Sequence, residues 1–150
     1  MPLFRRKHLF TADEQHRVVE AIRMAEKQTS GEIRVFVESR CRFVDPVDRA
    51  AEVFWLLKMD QTADRNGVLV YVALKDRQIA VYGDKGIHEK VGDAFWNEKI
   101  RGILGHLKRQ SYAEAIAQIV TEIGEALRTH FPYDKDTDVN ELPDDIVFGR

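Results

Sequence analysis

The spacing of apolar residues changes period along the chain, and each change marks an element. Thr11 and Glu14 have the spacing of a capping box, and Val18, Ile22 and Ala25 follow at helical intervals, which predicts an amphipathic helix over residues 11–28. Thr29-Ser30-Gly31 ends it. From Glu32 to Ser39 the pattern alternates, with Ile33, Val35 and Val37 on one side and Arg34, Phe36 and Glu38 on the other, as in a strand. Asp45-Pro46 then offers a cap followed by proline at the first helical position. Val47, Ala50, Phe54 and Leu57 form the next stripe, so a second helix is expected to about Met59. After the polar stretch 60–66, Gly67 to Leu74 is almost continuously apolar. Such a run fits a central strand covered on both faces.

Lys75-Asp76-Arg77 separates this run from Gln78-Ile79-Ala80-Val81-Tyr82, and the short polar break predicts an antiparallel hairpin. Gly83-Asp84-Lys85-Gly86 closes the strand. A helical piece around Ile87 to Val91 follows. A helix after Asp93 then carries Phe95, Trp96, Ile100, Ile103, Leu104 and Leu107. Ser111 with Glu114 is a second capping box, opening a helix with Ile116, Val120, Ile123 and Leu127 on its face, which Pro132 stops. The order helix, strand, helix, strand, strand, helix, helix requires a right-handed crossover between parallel first and second strands, then a hairpin. This is a small single-domain α/β sandwich. Tyr71 and Tyr82 are expected to pack in the sheet, and Trp55 and Trp96 to fill core from their helices.

Composition narrows the function classes. With 150 residues, 44% of them hydrophobic, one core of ordinary size needs no disulfide or metal. Lys and Arg total 23 against 25 Asp and Glu, which supplies no overall basic field for nucleic acid. A lone cysteine, Cys41, excludes an intramolecular disulfide and any Cys-based zinc cage. No apolar run reaches membrane-spanning length, and the basic start Arg5-Arg6-Lys7 is not followed by the apolar stretch of a signal peptide. The division expected is a flexible basic start over 1–10, a folded domain over 11–131 and an acidic tail over 132–150.

Candidate chemistry follows from the topology. Parallel first and second strands begin at one sheet edge, and the antiparallel third strand ends there. This edge gathers Ser30-Gly31-Glu32, Asp64-Arg65-Asn66-Gly67 and Gly83-Asp84-Lys85-Gly86. Oxygen donors beside glycines suit a hard cation such as calcium or magnesium, with Glu32, Asp64, Asn66 and Asp84 as candidate ligands and Gly31, Gly67, Gly83 and Gly86 as loop glycines. The alternative is that the glycines serve turns and the acids are solvated. At the opposite edge stand Glu38, Arg40, Arg42 and Asp45. There Arg40 and Arg42, beside a helix N-terminus, form a secondary candidate for an anion, on the side where open α/β sheets usually bind ligands. His88-Glu89 lacks the second histidine of a zinc-protease helix, and Gly83-x-x-Gly86 is neither a dinucleotide fingerprint nor a P-loop. Asp134, Asp136, Asp138, Asn140 and Asp145 partly match a calcium loop, but Val139 stands where its turn needs glycine.

Three segments together, Ser30-Gly31-Glu32-Ile33-Arg34-Val35, Arg65-Asn66-Gly67-Val68-Leu69 and Tyr82-Gly83-Asp84-Lys85-Gly86-Ile87, resemble the TPM-domain family. Members of that family include a thylakoid-lumen protein, a photosystem II repair protein and a modulator of acetylcholine receptors. The resemblance implies a three-layer α/β/α sandwich around a mixed sheet of about four strands, where three are clear from the pattern. It also implies association with divalent cations, especially calcium, and for one plant member acid phosphatase activity. Other members look like assembly or modulation factors. Glu32, Asn66, Gly67 and Gly86 match positions of the family motif. The family's Gly-Tyr-Gly pattern has one residue more between its glycines here, at Gly83 and Gly86. Many members carry an export signal and a C-terminal membrane helix, and the expectation here is a cytoplasmic form without either. The functional expectation is a divalent-cation-binding interaction or regulatory module with a protein partner at a membrane-associated assembly. A metal-assisted phosphomonoester hydrolase is the alternative, with no nucleophile identified.

Overall fold

A computed structural model describes residues 10–104, 111–133 and 146–149. Its centre is β2 (Gly67–Ala73), buried at every position. An apolar strand of this kind needs cover on both faces and partners on both edges. β1 (Glu32–Glu38) pairs with it in parallel, Glu32 opposite Gly67 and Glu38 opposite Ala73. β3 (Gln78–Gly83) pairs antiparallel, with Val68 opposite Gly83 and Ala73 opposite Gln78. β4 (Ile146–Phe148) joins the free side of β1 in parallel, giving the order β3-β2-β1-β4.

Alternation along the strands divides the core in two. Ile33, Val35, Val37, Val68, Val70, Val72, Ile79 and Val81 face one way. They meet α1 (Ala12–Glu26), α3 (Lys85–Val91), α4 (Asp93–Leu104) and α5 (Tyr112–His130) through residues such as Ile22, Ile87, Trp96 and Ile123. Phe36, Leu69, Tyr71, Ala73 and Ala80 face the other way, against Ala50, Val53 and Phe54 of α2 (Pro46–Leu56). The result is the α/β/α sandwich expected, with a mixed sheet.

Both capping boxes hold at their serine or threonine. Thr11 N donates to Glu14 Oε1 at 2.9 Å and Glu14 N to Thr11 Oγ1 at 3.1 Å. Glu114 N donates to Ser111 Oγ at 3.2 Å. Asp45 caps α2 by accepting from Val47 N at 2.9 Å, ahead of Pro46. Such caps satisfy amide groups that have no partner within the helix.

Several expectations need revision. Gly83 to Gly86 is not a loop throughout, because Asp84 caps α3 and Gly86 lies inside that helix. The apolar run Ile146-Val147-Phe148 leaves the acidic stretch to become a strand, which its short length and the acids before it concealed. Phe10, assigned to the flexible start, is 3% exposed and packs edge-on to Phe148 at 6.3 Å. Trp55 was expected in the core but is half exposed, resting its edge on Phe54, because a single helix covers that face of the sheet and its outer side meets solvent. Val47 is also exposed, on the first turn of α2. Leu107, Arg5 to Lys7 and the partial calcium loop 134–145 lie outside the described residues. Among the described residues no helix is long and apolar enough to cross a membrane.

Close backbone approach yields a prediction. A Cβ on Gly86 would stand 2.2 Å from the carbonyl oxygen of Asp64 and 2.6 Å from that of Arg65, whereas one on Gly102 of α4 meets nothing within 4 Å. Gly86→Ala is expected to destabilise by about 1–3 kcal/mol or more through overpacking. Gly102→Ala is expected to stabilise by ~0.4–1 kcal/mol through the unfolded chain. Urea unfolding of the two variants measures both signs.

Candidate functional site

The amino edge of the parallel strands is assembled by main-chain bonds between the three segments that the topology brings together. Asp84 N donates to Gly67 O at 2.9 Å, Gly86 N to Arg65 O at 2.8 Å, and Glu32 N to Asn66 O at 3.4 Å. Thr62 closes the turn before β2, accepting from Asn66 N at 3.2 Å. From the other side, Ser30 N donates to Phe131 O at 3.0 Å, and Thr29 Oγ1 also donates to that carbonyl. The loop Thr29-Ser30-Gly31 is thereby fastened to the end of α5.

The candidate ligands arrive at this edge in unequal states. Glu32, Asn66 and Asp84 are buried, while the Asp64 side chain is exposed and contributes its main-chain oxygen against Gly86. Asp84 is bound at both oxygens by Arg65, with Nε to Oδ2 at 2.6 Å and Nη2 to Oδ1 at 2.8 Å. The same carboxylate accepts from Lys85 N at 2.8 Å as the cap of α3. Arg65 gains a proton affinity above its ordinary value, first through this hydrogen bond to Asp84. Asn66 Nδ2 donates to Ser30 Oγ at 3.3 Å, and its Oδ1 is buried without a hydrogen-bond partner. Arg65 itself sits at φ 51°, a left-handed conformation costly for a residue with a Cβ. The turn holds it there, aimed at Asp84. Among the described residues no group of three or more His, Cys, Asp or Glu could hold a metal ion. As arranged, Asp84 stands in a bidentate ion pair with Arg65.

The carboxyl edge carries the more open feature. A cleft of about 410 Å³ is lined by Glu38, Arg40, Arg42, Phe43, Arg49 and Glu52. Glu38 ends β1 on the face covered by α2 and receives Arg49 at both oxygens, each at 3.0 Å. Tyr71 Oη donates to the same carboxylate, and Arg49 also reaches Glu52. Its guanidinium lies over the rings of Phe36 at 5.7 Å and Phe43 at 6.0 Å. Asp76 of the hairpin turn accepts from Cys41 N at 2.6 Å and from Arg40 Nη1 at 3.3 Å, fixing the loop after β1. Arg42 is exposed and makes no ion pair among the described residues.

Residues 3–126 match the TPM domain family. The chain belongs to the TPM-domain family. Within this family frame, a solved relative is the BA42 protein from the psychrophilic bacterium Bizionia argentinensis, 44% identical with a TM-score of 0.84. The match covers 94% of this chain and 96% of that one. Two further structures are similar in fold: the N-terminal domain of a protein from P. gingivalis and that of the cg2496 protein from Corynebacterium glutamicum. The first is 16% identical with a TM-score of 0.67, covering 84% of this chain and 83% of that one. The second is 15% identical with a TM-score of 0.56, covering 80% and 75%. No curated protein matches the chain.

The ion-pair roles of Arg65 and Arg49 in this TPM domain have no counterpart in its local sequence pattern. Arg65 was visible as a cation two positions before β2, yet its acid partner lies 19 residues on. For Arg49 no local signal exists, since Glu38 is reached only when α2 folds back over the sheet.

The Tyr71 phenol is pushed well above its ordinary range, first by burial and then by its hydrogen bond to Glu38. The neutral phenol is therefore the folded form, and its stabilisation is complete below the unfolded value of about 10 and falls as pH rises beyond it. Tyr71→Phe should cost ~1.5–3 kcal/mol at neutral pH, as loss of a hydrogen bond to a charged group. Above pH ~10 the gap between variant and wild type should narrow. Urea midpoints at pH 8, 10 and 11 test this; a gap constant across the range would refute the assignment. Tyr112, whose phenol burial also raises, is unchanged in the Tyr71→Phe variant and cancels in the comparison.

Proposed function

We propose that this TPM domain is an interaction module whose partner is a protein at a membrane-associated assembly, and that it works through the carboxyl-edge cleft. The observation that carries this reading is the unequal engagement of charge at the two edges. At the amino edge Asp84 is held by Arg65 and by the amide of Lys85. Such a pair locks β2, β3 and α3 together, a structural task. At the carboxyl edge a cleft opens beside Arg42, which is exposed and makes no ion pair among the described residues. A carboxylate or other anion on a partner is what such a group attracts.

A second reading is favoured by one observation, the buried and unpartnered Oδ1 of Asn66. Calcium or magnesium could take that oxygen together with Glu32 and, once Arg65 swings aside, Asp84. The Arg65 side chain is 31% exposed, so its departure is sterically open. Metal-assisted phosphomonoester hydrolysis is the catalytic form of this second reading. It requires the cation to orient a phosphate ester and a water, with the nucleophile unassigned.

One pair of measurements separates the readings. For the interaction module, purified protein turns over no phosphomonoester with calcium, magnesium or manganese above the background of Asp84→Asn. Turnover that depends on metal and disappears in Glu32→Gln would replace it with the hydrolase. If a cation competes with Arg65, Arg65→Gln should enlarge the thermal shift that metal produces and Asp84→Asn should abolish it. Saturation at about 100 times Kd corresponds to ~2.7 kcal/mol.

A further inference from the structure

We infer that the cleft at the carboxyl end of β1 binds a short protein segment in which an acidic side chain stands beside an apolar one. The carboxylate goes to Arg42 and the apolar group to Phe43 and Val44. This inference rests on the interaction-module reading and specifies the chemistry of the partner.

The cations around the cleft differ in what they have left to give. Arg49 is bound by Glu38 at both oxygens and by Glu52, and lies over two rings. It is therefore part of the wall. Arg40 is partly compensated by Asp76 at 3.3 Å. Arg42 has no ion-pair partner among the described residues and projects into solvent. A carboxylate within ion-pair reach is what Arg42 lacks among the described residues.

The surroundings are apolar in a way that selects the kind of anion. Phe43 and Val47 are each 37% exposed, and Val44 is 102% exposed. Phe43 and Arg42 line the cleft together, and aromatic rings and arginines are the residue types enriched at protein interfaces. Inorganic phosphate would satisfy Arg42 and leave these groups in water. A flat anionic membrane is disfavoured, because Asp45 and Asp48 directly follow the two valines and Glu52 lines the cleft, all three exposed. They would meet lipid headgroups of like charge. A peptide can set its carboxylate on Arg42 and keep its apolar residue over Phe43, clear of those acids.

The site is also preorganised. Cys41 N on Asp76 at 2.6 Å and the Phe43 ring over Arg49 hold residues 41–43 without a ligand, so little ordering remains to be done on binding.

Fluorescence polarisation with the full chain tests this, using a short fluorescein-labelled peptide with one glutamate beside leucine in a neutral sequence. The same peptide with serine in place of leucine, and with lysine in place of glutamate, serves as comparator. The glutamate–leucine peptide is expected to bind at least about tenfold more tightly than either comparator. Arg42→Glu should weaken it by about tenfold or more, and Val44→Ser by roughly threefold or more. Neither side chain makes a described ion pair or lies in the core, so both variants should unfold at the wild-type midpoint, which circular dichroism checks. Equal affinity for Arg42→Glu, equal binding of the glutamate–serine peptide, or no binding of the glutamate–leucine peptide would each overturn the inference. So would complete displacement by millimolar inorganic phosphate, or Arg42-dependent binding to phosphatidylserine vesicles in place of peptide. Metal-dependent phosphoester turnover overturns the interaction-module reading itself. Absence of peptide binding without turnover removes only this occupant, so the two failures are distinguishable.

Discussion

Burial of β2 on both faces is the constraint from which the rest of the architecture follows. Gly67 to Ala73 has no exposed position, so its amides and carbonyls need partners on both sides and its side chains need cover above and below. β1 and β3 supply the hydrogen bonds, while α1, α3, α4 and α5 cover one face and α2 the other. Once β1 is parallel and β3 antiparallel to β2, the starts of β1 and β2 and the end of β3 must share an edge. Among the described residues, both buried carboxylate–arginine pairs lie at that edge or its opposite.

The two edges have been put to different uses by the same kind of chemistry. Each holds a buried carboxylate gripped at both oxygens by an arginine: Asp84 by Arg65, and Glu38 by Arg49. Removing one member of such a pair leaves the other desolvated and uncompensated, which makes the pairs strongly specifying even where their net contribution is modest. At the amino edge the pair fastens the turn before β2 to the start of α3. At the carboxyl edge the pair forms the wall of an open cleft, and the loop after β1 carries further arginines past it. The asymmetry comes from α2, which among the described residues covers the second face alone and leaves space beside its first turns.

The helices and strands of the folded core were readable from periodicity because each buries one face against one neighbour, so local pattern and tertiary environment agree. β2 was readable for the opposite reason: its lack of alternation signals cover on both sides. Less legible were elements whose role depends on distant partners. β4 is three residues long, and only the open edge of β1 makes it a strand. Asp84 reads as a loop acid until the exit of β3 turns directly into α3. Trp55 reads as core until it is known that a single helix covers its face.

By itself the sequence determined the order of elements as far as α5, the parallel crossover and hairpin, the TPM-type motifs, and the gathering of Glu32, Asp64, Asn66 and Asp84 at one edge. These are consequences of hydrophobic period, chain connectivity and handedness, which act over a few residues or a single crossover. Only the tertiary structure decided which charges are already neutralised. Arg65 meets Asp84 across 19 residues and Arg49 meets Glu38 across 11, and no local pattern encodes either pairing. A charge's availability to a ligand depends on what lies within about 4 Å of it. Distances of that order between segments remote in sequence exist only once the chain has folded.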